Sequence, residues 1–173
     1  MKSALKKLCV IVGIVVVLLL GTLVDLIISK AYDFEFVSIE RLADENAETP
    51  LDKEGNEIPN DWGIADGQTY VRFVIRLTRN GKPVEGHTLY VKTNRNVLGR
   101  LTTDADGLVA VDYRCYKGSE GNVKDVVLTV RDEDNSVFVF VPRTESYTLK
   151  MAEMATGNGG SGLKTDDIFY DID

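Results

Sequence analysis

One histidine, two cysteines and several clustered aspartates are the side chains in this sequence whose types could do chemistry. His87 follows Gly86 at the start of an apolar stretch, where a surface turn is its ordinary setting. A Ser-His-Asp or Cys-His pair would have to be built on it, and no nucleophile motif accompanies it. Cys115 closes the alternation Val109, Val111, Tyr113, Cys115, which places its thiol on an inward face as a core cysteine. An intermolecular disulfide is the competing use of that thiol. Cys9 lies inside a hydrophobic run, so the two cannot pair within one chain.

Asp104 and Asp106 flank a tight turn, with Asp112 beyond it, and oxygen ligands for calcium gather in such loops. The bidentate Glu that closes a full calcium loop is missing, so the residues read as turn formers. Asp132-Glu133-Asp134-Asn135 is a second acidic turn of the same kind. The expectation is a protein with no catalytic residue, no metal ligand and no cofactor.

The elements that must position these residues begin with the first thirty. Lys2, Lys6 and Lys7 precede an uncharged run from Leu8 to Val24; Asp25 interrupts it and Leu26-Ile27-Ile28 resumes it. Seventeen helical residues cover about 26 Å, and continuation to Ser29 gives about 33 Å, enough for a bilayer core. Residues 8–28 are thus expected to meet the lipid bilayer. The lysines place the N-terminus inside and everything after Lys30 outside the cytoplasm. Cleavage after Ala31 is the alternative, because Ser29-Lys30-Ala31 offers small residues at a possible signal-peptidase site. The long apolar run and Asp25 favour an uncleaved signal anchor.

From Lys30 onward the chain carries 17 Lys and Arg against 26 Asp and Glu, a net charge of −9. Such a surface repels phosphate backbones, which argues against nucleic-acid binding. Past the anchor, the hydrophobic period becomes two. Phe34 and Phe36 open a first strand with Val37 and Ile39, and residues 42–68 form a long polar connection rich in turn formers. Val71, Phe73, Ile75 and Leu77 alternate with polar residues, as in an antiparallel sheet with one wet face. Leu89 and Val91, then Val109 to Cys115, Val126 to Val130, Val137 to Val141 and Tyr147 to Met151 follow. About seven or eight short strands without an intervening helix predict an all-β antiparallel sandwich behind one transmembrane helix. The expected units are 1–30 as anchor, 31–152 as the β-domain and 153–173 as a Gly-rich linker with an acidic tail.

Three segments in this order carry a resemblance: Gly63-Ile64-Ala65-Asp66-Gly67-Gln68, Asn80-Gly81-Lys82-Pro83-Val84-Glu85-Gly86, and Thr103-Asp104-Ala105-Asp106-Gly107-Leu108-Val109. Over residues 36–141 the chain resembles the bacterial immunoglobulin-like domain of the invasin/intimin type. Carboxypeptidase-regulatory-like and transthyretin-like sandwiches use similar turns and are the rival within the same architecture. The resemblance implies an immunoglobulin-like fold and an exposed spacer or binding role. This sequence has one copy where the family forms tandem arrays with a tip, so adhesion does not carry over with the fold.

The candidate partner-binding residues are aromatic and apolar. Phe138 and Phe140 alternate with Val137, Val139 and Val141, which makes this stretch apolar on both faces. Either the domain covers both faces itself, for instance with the 42–68 connection and Trp62, or one face meets a partner. In the tail, Ile168, Phe169 and Tyr170 follow the linker Thr156–Gly162 and could add as a strand to a sheet edge. The expected function is a membrane-anchored extracytoplasmic spacer or protein-binding module of the cell surface. An accessory structural subunit of a larger envelope assembly (secretion, pilus or transporter complex) is the alternative.

Overall fold

The computed structural model describes residues 2–43, 48–119, 121–134 and 142–153. In chain order its elements are α1 (Lys2–Ala31), β1 (Tyr32–Leu42), β2 (Gly63–Ile64), β3 (Tyr70–Arg79), β4 (Lys82–Pro83), β5 (Thr88–Thr93), β6 (Val97–Thr102), β7 (Leu108–Arg114), β8 (Val126–Asp132), β9 (Thr144–Leu149) and β10 (Met151–Ala152).

α1 includes one apolar stretch, Lys6–Val24, long enough to cross a membrane, with a mean hydropathy of 2.8. Its Leu, Val and Ile side chains are exposed all round, from Leu8 to Ile27, so this stretch of the helix has no polar face. Lys6 and Lys7 are exposed at its start, and Lys2 lies in its first turn. The helix passes into β1 with no residue between them, and the Asn80 N–H donates to the Ala31 carbonyl at 2.8 Å.

Two antiparallel sheets follow. In one, β3 pairs with β1 along one edge and with β7 and the short β4 along the other. The other has the order β6-β5-β8-β9. β3 gives Val71, Phe73, Ile75 and Leu77 to the core, and β7 gives Val109, Val111 and Tyr113. They pack in one cluster with Leu89 and Val91 of β5 and Val126, Leu128 and Val130 of β8. Alternation at period two thus builds both inner faces of a sandwich.

On the outer face of the β3 sheet, charge pairing replaces burial. Arg72 meets Asp112 across β3 and β7 through two bonds of 2.8 Å, and Arg76 reaches Glu35 at 3.3 Å. The first is a two-pronged guanidinium–carboxylate pair with defined geometry; the second is an exposed pair of small value.

Two local features depart from simple alternation. Phe36 pairs with Ile75 and Ser38 with Val74, so Val37 is an extra residue bulged out of β1. The bulge shifts the phase of the strand by one residue and turns Arg41 inward. β6 is a strand that the alternation did not predict, and the last long strand begins three residues earlier than Tyr147. The expected strand at 137–141 lies outside the described residues.

Candidate functional site

The two ends of the sandwich differ in chemistry, because the strands run lengthwise between α1 and the far end. At the α1 end, β5 begins and β8 finishes beside the start of β1. His87 Nδ1 faces the Asp132 carboxylate at 3.3 and 3.4 Å, and its ring lies 5.4 Å from that of Tyr32. Arg79 stacks on the same Tyr32 ring at 5.3 Å. His87 is therefore no simple surface turn residue: its side chain is 21% exposed and Asp132 is fully buried. No local pattern announces this pair, whose members are 45 positions apart.

Backbone bonds lock the cluster. The Asp134 N–H donates to Asp132, the Thr88 N–H donates to Asp134, and the Thr103 hydroxyl accepts from the His87 N–H. A carboxylate that orients an imidazole is two-thirds of a triad, but no hydroxyl or thiol among the described residues is hydrogen-bonded to the ring. The geometry fits a structural tie between β5 and β8 at the α1 end.

Burial raises the Asp132 carboxyl, while the Asp134 N–H and His87 act to lower it. A carboxyl raised on folding holds its proton more tightly in the folded chain. Its favourable contribution is complete below the ordinary value near 3.9 and is lost as pH rises through the raised value. Wild-type stability relative to Asp132→Asn should therefore grow as the medium is acidified from about pH 7 to about pH 4. Denaturant titrations of both proteins across that range check it, and a flat difference would show that burial does not dominate.

The far end is closed by the 48–66 connection, and Arg41 organises it. The guanidinium donates to the carbonyls of Ile58, Pro59 and Trp62 at 3.1 to 3.2 Å. Its backbone N–H donates to Asn60 at 2.8 Å. Burial lowers the guanidinium from its ordinary value, and Cys115, Asp61 and Asp66 act in the opposite sense. Ile58, Ile64 and Ala152 form a second small core against Trp62, and Lys150 lies 5.0 Å from the indole centre. Trp62 thus packs at the end remote from Asp134 and Pro142.

Cys115 is 2% exposed beneath Gly63 and Met151. Burial pushes its thiol up to about 12. The native thiol should react with iodoacetamide at least about a hundredfold more slowly than in denaturant, because the thiolate is the nucleophile. Mass spectrometry of the Cys115 peptide reads this directly, and equal rates would contradict the burial.

The acidic turns have local partners. The Asp104 carboxylate accepts from the N–H groups of Asp106 and Leu108, and Asp112 is engaged by Arg72. Asp66 caps its own turn by accepting from Gln68 N–H, Thr69 N–H and the Thr69 hydroxyl. Among the described residues, no three His, Cys, Asp or Glu side chains converge as metal ligands would. Phe138, Phe140, Ile168, Phe169 and Tyr170 lie outside the described residues, as does Asn135. Comparison with protein-family models, curated proteins and solved structures found no match for this chain.

Proposed function

We infer that the protein is a membrane-anchored extracytoplasmic module, an immunoglobulin-like domain that serves as a spacer or protein-binding unit at the cell surface. The observation that carries this reading is the direct continuation of an apolar membrane-length helix into the first strand of a sandwich. The strand order supports the immunoglobulin-like part of it. Three long strands (β1-β3-β7) face four (β6-β5-β8-β9), and the chain crosses between sheets from β3 to β5, from β6 to β7 and from β7 to β8, as in an immunoglobulin-type Greek key. The resemblance of the Asp66-Gly67, Lys82-Pro83 and Asp104–Gly107 turns to the invasin/intimin type points the same way.

Orientation follows from Lys2, Lys6 and Lys7 ahead of the span. Protease added to intact cells should degrade residues 32–153 while leaving the helix in the membrane fraction, and carbonate washing should not release the chain. A domain protected from external protease, or a mature protein starting at Tyr32, would overturn the anchored reading.

A further inference from the structure

Four long strands form the edges of the two sheets among the described residues: β1, β7, β6 and β9. An open edge presents unpaired N–H and C=O groups and is ordinarily protected by charge, bulges or cover. β1 has its bulge and carries Asp33, Glu35 and Glu40, β7 carries Asp112 balanced by Arg114, and β9 carries Glu145. β6 differs from all three. Residues 94–102 include Arg95 and Arg100 and no acidic side chain, and Lys92 of the neighbouring β5 adds a third positive charge. Glu133 pairs with Arg100 at 2.6 Å from the β8 side, and Arg95 stacks on Tyr116 at 3.4 Å. Val97 is 58% exposed on this edge, and Leu98 and Leu101 are half-buried.

The same chain contains a segment of opposite character. Residues 163–173 carry Lys164 against Asp166, Asp167, Asp171 and Asp173, and they alternate Ile168, Tyr170 and Ile172 with Phe169 and Asp171. This is a strand-like pattern with a net negative charge. We propose that residues 163–173 add to the open edge of β6 in the same chain, closing the four-stranded sheet with an acidic fifth strand.

Connectivity favours the chain's own edge over that of a second copy. The Ala65 N–H donates to the Ala152 carbonyl, and the Gly118 N–H donates to the Ala65 carbonyl, each at 2.9 Å. Tyr116, two residues before Gly118, holds Arg95 at the start of β6. β10 and the β5–β6 turn therefore flank one segment, 115–118. The ten residues from 153 to 162 reach about 33 Å when extended, and about 17 Å as a Gly-rich coil. Main-chain pairing would supply the attraction, and the opposite charges would select this edge over the acidic β1 and β9 and the neutral β7.

Amide hydrogen exchange on the full chain in detergent micelles tests the proposal, read at peptides covering 94–102 and 126–132. The double variant Ile168→Asp, Tyr170→Asp leaves the sandwich core untouched. It should speed exchange at 94–102 about tenfold while 126–132 keeps its rate. Lys92→Glu with Arg95→Glu should produce the same local loss. Equal exchange in wild type and the tail variant overturns the proposal. Protection that fades on dilution also overturns it, since pairing would then belong to a second copy.

Discussion

Replacing Gly107 with alanine should lower the stability of the β-domain by about 4 kcal/mol, more than an ordinary surface substitution can. Gly107 has φ +71°, and a Cβ there would sit 2.5 Å from the Leu77 carbonyl oxygen and 2.9 Å from the Val84 nitrogen. Both are backbone atoms, one in β3 and one just past β4, so no side chain can swing away. The contact is close because Leu77 N–H donates to the Gly107 carbonyl, drawing the turn onto β3, while Val84 N–H donates to the Leu77 carbonyl across the β3–β4 hairpin. Gly81 is the control: its φ is +76°, yet nothing lies within 4 Å of its Cβ position. Gly81→Ala should cost only the backbone strain, about 1 kcal/mol. Thermal unfolding of the two variants separates steric conflict from conformational preference, and equal losses would show that the turns yield.

Arg41→Met should have the next largest effect, about 3 kcal/mol, concentrated at the far end of the sandwich. The substitution leaves the carbonyls of Ile58, Pro59 and Trp62 without their shared charged donor inside a nearly closed site. Relief of the buried guanidinium offsets part of that loss, since burial already works against its charge. Arg41→Lys should fail to restore the wild type, because a single ammonium does not reproduce the planar fork that reaches three carbonyls. Amide exchange should accelerate across residues 48–64 well before it does in β3 or β8. Uniform acceleration through the whole domain would instead place Arg41 in the main core's folding unit.

These two residues also show what was and was not legible in the sequence. Gly107 belongs to Asp104-Ala105-Asp106-Gly107, whose turn chemistry is local and therefore readable. β3 was readable for the same reason: Val71, Phe73, Ile75 and Leu77 alternate without interruption and all are buried. Arg41 was not, because the bulge at Val37 shifts the phase of β1 and puts a cation where alternation expects an outward residue. β6 escaped because its register shifts against β5 between Val91 and Lys92 and Gly99 has φ +145°, which leaves Val97 exposed and breaks the pattern. The His87–Asp132 pair is a tertiary contact between two strands of one sheet, and no spacing rule announces it. Charged residues that fold inward to tie distant segments are invisible to a period count.

The joint between Ala31 and Tyr32 has a mechanical consequence. A helix that becomes a strand without a spare residue, fastened by Asn80 to the neighbouring turn, would act as the handle of a lever if it spans a membrane as proposed. Membrane helices tilt by about 20° to match local bilayer thickness. A sandwich about 33 Å long along β3 would then sweep its Arg41 end through about 11 Å for that tilt. In the anchored protein proposed above, the height and aim of the tip over the membrane would follow the thickness of the lipid beneath it.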